Sequence, residues 1–450
     1  MMTSSLVVPS LVSSHSHLKR RRHEASNLGF PCASLVATRG VITSTFAAQK
    51  DNYLLTEEGK LYAMEGSLEV NFFLAVPSED ISLANLKSLM VFFFFFALSF
   101  FASSTLGAKR KIVEFYEFGS PLMHVNISTW GATIQSIRVP DSKGKLADVV
   151  LGFDGIGPYI TDNNYFGGIV GRVANKIGNA EFTLNGTTYH LFRNDGNDSF
   201  HGGNRGFNKV IWEVAEDRRY NVSVPFITFH YRSSDGEQGF PGAVDVFVTY
   251  EMYEENELSV HMIATPVDKP TPINLAQHIC WNLGGHDSGS VLHHKLQISA
   301  SRMTQVDDRS LPTGKIVPVH GTPFDFRSPT EVGSRISKLL AQQPDVGGYD
   351  VNYVLDRKFE GTYKMAEVED RRSGRVLEIC SDAPAMRLET GNLLDHVRGK
   401  GGHYYEKHSG LCLATQGFPD AVNHPNFPSQ VYSPGQTYHH DLLYRFTAKI

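Results

Sequence analysis

From Lys111 onward the chain alternates apolar and polar residues with period two, and turn residues interrupt the pattern at short intervals. This restricts the fold more than any other feature. Successive side chains of a strand point to opposite faces, whereas an amphipathic helix needs an apolar residue every three or four positions. Residues 244–265 read as two long strands that reverse near Glu254-Glu255-Asn256. In Glu181-Phe-Thr-Leu-Asn-Gly-Thr-Thr-Tyr-His-Leu191, Asn185-Gly186 suits a type I′ turn, which sets Phe182 across from Tyr189 on one face. Further strands are expected at 124–139, 226–232, 295–300, 366–370, 375–380 and 411–416, with one short helix at 331–340. Turn signals recur at Asp141 to Gly144, Asp195-Gly196, Asp235-Gly236 and Gly401-Gly402. Many strands, frequent turns and scarce helical periodicity predict an all-β fold, a large antiparallel β-sandwich occupying residues 109–450.

The front of the chain carries two different addresses. Residues 1–50 are rich in Ser and Arg and hold one acidic residue, Glu24, a composition that resembles an organelle transit peptide. Residues 89–106 are almost wholly apolar, with consecutive phenylalanines from Phe92 to Phe96, Lys87 just before them, and small residues from Ala102 to Ser104 and at Gly107-Ala108. Read from Met90, this is a secretory signal peptide with a cleavage point near Ala108. The alternative is a membrane anchor, for which the run is marginal, since a span needs about 20 apolar residues. The expected organisation is a leader or mis-joined extension at 1–88, a signal-like segment at 89–108, and the domain at 109–450. The expected location is extracellular without stable membrane insertion, or a plastid if residues 1–50 are a working transit peptide. Sequons at Asn126, Asn185, Asn197 and Asn221 are compatible with secretion.

Composition excludes several function classes. A hydrophobic content of 41% is enough for a sizeable core, and a net charge of −5 offers no basis for binding nucleic acid or an anionic membrane surface. The four cysteines, Cys32, Cys280, Cys380 and Cys412, form no CxxC pair, and buried free thiols are the expectation. Gly167-Gly-Ile-Val-Gly171 lacks the GxGxxG spacing of a dinucleotide loop, and no phosphate-binding GxxxxGK[ST] occurs. His201-Gly202-Gly203 is similar to an esterase oxyanion loop, but no GxSxG elbow accompanies it. The pairs His293-His294 and His439-His440 are adjacent in strand-like segments, so each pair is expected to point to opposite faces and to chelate poorly. Neither a metal nor an organic cofactor is expected.

Five segments remain: Gly171-Arg-Val-Ala-Asn-Lys-Ile177, Ser199-Phe-His-Gly-Gly203, Thr271-Pro-Ile-Asn-Leu-Ala-Gln-His-Ile-Cys-Trp-Asn-Leu283, Gly348-Tyr-Asp-Val-Asn-Tyr353 and Leu411-Cys-Leu-Ala-Thr-Gln-Gly-Phe-Pro-Asp-Ala421. In order and spacing they resemble the aldose 1-epimerases, or galactose mutarotases, over about residues 112–446. The resemblance implies a galactose mutarotase-type sandwich, a free monosaccharide (an aldohexose) as partner, and interconversion of its anomers by acid/base ring opening without a metal. It implies that His278 is the general acid at the ring oxygen, a role that suits a group titrating near neutrality. It implies that His201, Asp350 and Asn175 hold the sugar. Trp281 is expected to pack in the core rather than stack on a sugar.

The pocket departs from that pattern. The family's base is a glutamate in Leu-Glu-Thr-Gln, and here the slot is Ala414, which has no proton acceptor. Lys176 stands where arginine is usual, Arg387 where glutamine is usual, and Val351 where a histidine commonly follows the aspartate. Impaired catalysis, or sugar binding without catalysis, is therefore expected. Glu389, two residues from Arg387 on the same strand face, is the nearest other carboxylate by sequence, although an exposed residue paired with a neighbour is the simpler expectation for it.

Overall fold

The computed structural model describes residues 112–220, 222–342, 347–357 and 361–449, together with two short paired strands, Ser34–Leu35 and Ser44–Thr45. The rest of the leader, Cys32, the signal-like segment 89–108 and the sequon at Asn221 lie outside the described residues. Among the described residues no helix is long and apolar enough to cross a membrane.

Three antiparallel sheets make up most of the domain. The largest has nine strands, in the order Glu213–Arg218, Phe226–Ser233, Val244–Glu254, Glu257–Pro266, Tyr438–Ala448, Arg375–Ser381, Tyr363–Glu369, Lys295–Ile298 and Thr330–Glu331. A six-stranded sheet runs Cys280–Trp281, Leu411–Gln416, Ala385–Glu389, Asp350–Val354, Arg302–Val306 and Pro312–Pro318. A four-stranded meander, Phe115–Gly119 to Leu146–Asp148, opens the domain. One apolar cluster joins all three. Val246, Val248, Leu258 and Val260 come from the large sheet, Met386, Leu388, Leu411 and Leu413 from the six-stranded sheet, and Ile127, Ile134 and Ile137 from the meander. Trp281 is fully buried in it, 5.0 Å from the ring of Tyr444, as its strand setting predicts.

The tight turns follow the sequence closely. Phe182 pairs with Tyr189, their rings stack at 5.4 Å, and Asn185 and Gly186 take φ of 51° and 80°. The predicted strand 124–139 is two strands, His124–Ser128 and Thr133–Pro140. Gly131 and Ala132, at φ of 66° and 46°, turn the chain between them, and a Cβ at Gly131 would meet the Asn208 backbone. The predicted helix 331–340 begins as a 3₁₀ turn, Val332–Arg335, and continues as Ile336–Gln342. A second short helix, Ile156–Thr161, has no clear signal in the sequence.

The free-thiol expectation fails for two cysteines. Cys280 and Cys412 form a disulfide, their Cα atoms 3.9 Å apart at directly opposite positions of neighbouring antiparallel strands. Sheet register creates this contact between residues 132 apart in the chain, so their spacing carries no sign of it. Cys380 is buried and free, as expected.

Leu411–Gln416 is buried at every position. Its alternate residues serve two different neighbours. Leu411 and Leu413 belong to the main core, while Ala414 belongs to a small apolar group with Val170, Ala174 and Ala276 on the other face. A strand covered on both sides reads as a near-continuous apolar run, and here the second cover is that small apolar group.

Candidate active site

Strand pairing assembles one wall of the cleft. Arg387 lies opposite Ala414, Glu389 opposite Cys412, and Asp350 opposite Glu389. Directly opposed residues of an antiparallel pair share a face, so Ala414, Arg387, Glu389 and Asp350 project together. Arg387 donates to both Asp350 carboxylate oxygens, from Nε at 2.8 Å and from Nη2 at 3.0 Å, and its Nη2 lies 3.1 Å from Glu389 Oε2. The guanidinium also sits 5.4 Å above the Phe200 ring. Burial works against its charge, but Asp350 and then Glu389 outweigh that and hold it above the ordinary arginine range. Burial pushes Glu389 up from the ordinary carboxylate value, with Arg387 opposing the shift.

Short strands and left-handed residues build the facing wall. His278 ends Ala276–His278, which pairs with Gly168–Val170. His201 follows Ser199–Phe200, which pairs with Lys176–Ile177. Asn175 and His201 both take positive φ, 67° and 51°, and clasp each other. Asn175 N–H donates to His201 Nδ1 at 3.1 Å, and His201 N–H donates to the Asn175 carbonyl at 3.0 Å. That contact leaves the His201 proton on Nε2, a buried donor with no protein partner. Gly202 has to be glycine, because a Cβ there would run into the Gly171 carbonyl. Lys176 pairs with Asp195 at 2.8 Å and donates to the Arg309 carbonyl at 2.9 Å.

The two walls meet. The His201 and His278 rings lie 5.2 Å apart, and Tyr165 packs 4.7 Å from the first and 5.9 Å from the second. Burial lowers the His278 pKa to about 3, helped by the Arg387 charge and opposed by Asp350. Burial, His278 and Arg387 together hold His201 well below its ordinary value. Both imidazoles are therefore neutral at pH 7. The floor is closed, with His201 and His278 at 0% and 3% exposure. The polar mouth is accessible, with side-chain exposures of 33% for Asp350 and 17% for each of Glu389 and Lys176. His278 Nδ1, like His201 Nε2, is buried without a protein partner. Two orphaned ring nitrogens beside a carboxylate-lined mouth suit a small polyhydroxylated ligand better than an apolar one.

This chain is similar to several known proteins. A family model described as aldose 1-epimerase matches residues 114–445. Galactose mutarotase from Sus scrofa is 41% identical over 336 residues, covering 74% of this chain and 94% of that protein. Aldose 1-epimerase from Escherichia coli K12 is 35% identical, covering 73% and 93%. An aldose epimerase homologue from C. elegans superposes with a TM-score of 0.68 at 30% identity, over 75% of this chain and all of that one.

The chain belongs to the aldose 1-epimerase family.

An aldose 1-epimerase needs an acid and a base about the C1–O5 bond. The structure brings His278, His201 and Asn175 together on one side and sets Asp350, Arg387 and Ala414 on one strand face, while Lys176 is tied to Asp195 and the Arg309 carbonyl. Val351 differs. It lies 7% exposed in the main core cluster, facing away from the cleft, so the loss of a histidine there removes nothing from this wall. Tyr165 has no motif around it and escapes sequence reasoning. Glu389 is ion-paired, as expected, but it is not an exposed residue.

Outside the cleft, His293 and His294 do not point to opposite faces. They precede Lys295–Ile298, their rings lie 4.7 Å apart, and one donor atom from each falls within 4.8 Å of an Asp370 carboxylate oxygen. Leu283 N–H donates to His294 Nε2 at 3.0 Å, so the ring proton sits on Nδ1. His294 then has no second lone pair to offer, and the trio reads as a structural tie rather than a chelate.

Proposed function

We propose that this protein is an aldose 1-epimerase of free hexoses, of the glucose and galactose type, which turns over more slowly than its relatives. The convergence of His201, His278 and Asp350 on one polar crevice carries this reading. The sugar ring opens when the C1 hydroxyl loses its proton, the C1–O5 bond breaks and O5 gains a proton. Rotation about C1–C2 and reclosure then give the other anomer. His278 serves O5, while His201, Asn175 and Asp350 hold the hydroxyls. Ala414 offers no base, and loss of a positioned base costs about 10² to 10⁴ in rate. Arg387 adds to the deficit by disfavouring protonated His278. Polarimetry of freshly dissolved α-D-galactose with the wild type and Ala414→Glu tests the proposal. Turnover by the wild type, raised in the variant, supports it.

The Ala414 and Arg387 replacements also favour a second reading, a sugar-binding protein without catalysis. Turnover in Ala414→Glu alone, with calorimetric sugar binding by both proteins, would select that reading. No binding by either protein would leave neither. We further propose secretion, supported by the disulfide, which suits an oxidising compartment, and by the exposed sequons at Asn185 and Asn197. A mature N-terminus near Lys109 tests it.

A further inference from the structure

We infer that Glu389 replaces the missing base and exchanges the proton with the C1 hydroxyl, a step that rests on the epimerase reading above. Three observations carry this. First, Arg387 is the residue directly opposite Ala414, so Glu389, two positions along the same strand, is a diagonal neighbour of Ala414 on the same face. Diagonal cross-strand positions are about 7–8 Å apart, within reach of a long side chain. Second, the two carboxylates of this wall are held differently. Asp350 has both oxygens engaged by Arg387, whereas Glu389 has one ion-pair contact, through Oε2, and no further polar partner among the described residues. Its second oxygen is a carboxylate acceptor without a protein partner among the described residues. Third, the Glu389 side chain keeps 17% of its surface exposed, and its partner Arg387 is close enough to His278 to act on its charge. A base and an acid on opposite sides of C1–O5 is what ring opening requires.

The step balances without a co-reactant. Glu389 takes the C1 hydroxyl proton as the C1=O bond forms, and the C1–O5 electron pair passes to O5, which takes a proton from His278. Reclosure on the other face of C1 returns both protons. Arg387 is a positioning residue, holding the Glu389 carboxylate through Nη2 while it pins Asp350.

The test compares kcat and KM for D-galactose in wild type, Glu389→Gln, Glu389→Asp and the double variant Glu389→Gln/Ala414→Glu, with folding checked by circular dichroism and sugar binding by calorimetry. Glu389→Gln is expected to lower kcat by about 10² or more while KM moves little. Glu389→Asp keeps part of the activity and shifts the pH profile, and it serves in place of the glutamine variant if that one does not fold. The double variant recovers turnover, because a carboxylate at 414 reaches the same proton. A Glu389→Gln protein with wild-type kcat overturns the assignment and leaves the epimerase reading intact. So does one that loses sugar binding along with activity, since Glu389 is then a binding group. A wild type that binds galactose without turning it over overturns both the assignment and the catalytic reading.

Discussion

The two walls of the cleft have diverged to different degrees. The histidine wall carries Asn175, His201 and His278 as the resemblance expects and departs from it at Lys176, and its geometry is over-determined. Asn175 and His201 clasp each other through two hydrogen bonds, Gly202 admits no side chain, and Tyr165 packs against both imidazoles. The carboxylate wall, built from Asp350–Val354, Ala385–Glu389 and Leu411–Gln416, keeps its backbone register but carries Ala414 and Arg387 in place of the usual glutamate and glutamine. Sheet register depends on the core-facing residues Leu388, Leu411 and Leu413, so the alternate, cleft-facing residues can change without disturbing the fold. A strand with two different neighbours allows chemistry to drift while stability is held.

This contrast can be broken or sharpened by experiment. The largest effect is expected on the altered wall. Ala414→Glu places a carboxylate at the family's base position beside Glu389 and should raise kcat by up to about 10², read by polarimetry. An unchanged rate would mean that position 414 does not limit the site, because Glu389 already serves as base or because Arg387 sets the rate. On the retained wall, His278→Gln should remove most remaining turnover, about 10² in kcat, while calorimetric galactose binding survives. A variant as active as wild type would deprive that wall of its catalytic role.

A smaller effect links the walls. With its pKa lowered to about 3, His278 is almost wholly deprotonated at pH 7, and its protonated fraction grows about tenfold per unit as pH falls. Turnover should therefore climb as pH drops below 7, until the carboxylate that acts as base takes up its own proton. Arg387→Gln removes the second cause of that depression. It should raise the His278 pKa and so flatten the climb, even where loss of the Glu389 anchor lowers the rate itself. A pH–rate profile identical to wild type would show that Arg387 does not act on His278. The smallest effect concerns stability. The disulfide ties the strand Cys280–Trp281, just beyond His278, to the strand that carries Ala414. Cys280→Ser/Cys412→Ser should cost about 2–4 kcal/mol in chemical denaturation. An unchanged midpoint would separate the bond from stability.

Local chemistry explains how much of this was legible in the sequence. Period-two alternation and Asn185-Gly186 are local signals, and they gave strand positions and one hairpin register. His201, His278 and Asp350 sit in segments whose resemblance is specific, so their convergence could be anticipated. The Arg387–Glu389–Asp350 cluster and the Cys280–Cys412 bond arise from long-range strand pairing, and nothing in local spacing encodes that. Tyr165 was missed for a similar reason, because its value lies in packing against two residues from other segments. His293 and His294 were misplaced because a turn, rather than a strand, carries them.

The account depends on His201 and His278 facing one sugar-sized space. The most direct measurement is the imidazole NMR signals of both residues during titration with D-galactose. The account predicts that both signals shift, saturate at one shared affinity, and lose that response in Asp350→Asn. Signals that stay still at saturating sugar, or that shift with unrelated affinities, would contradict it.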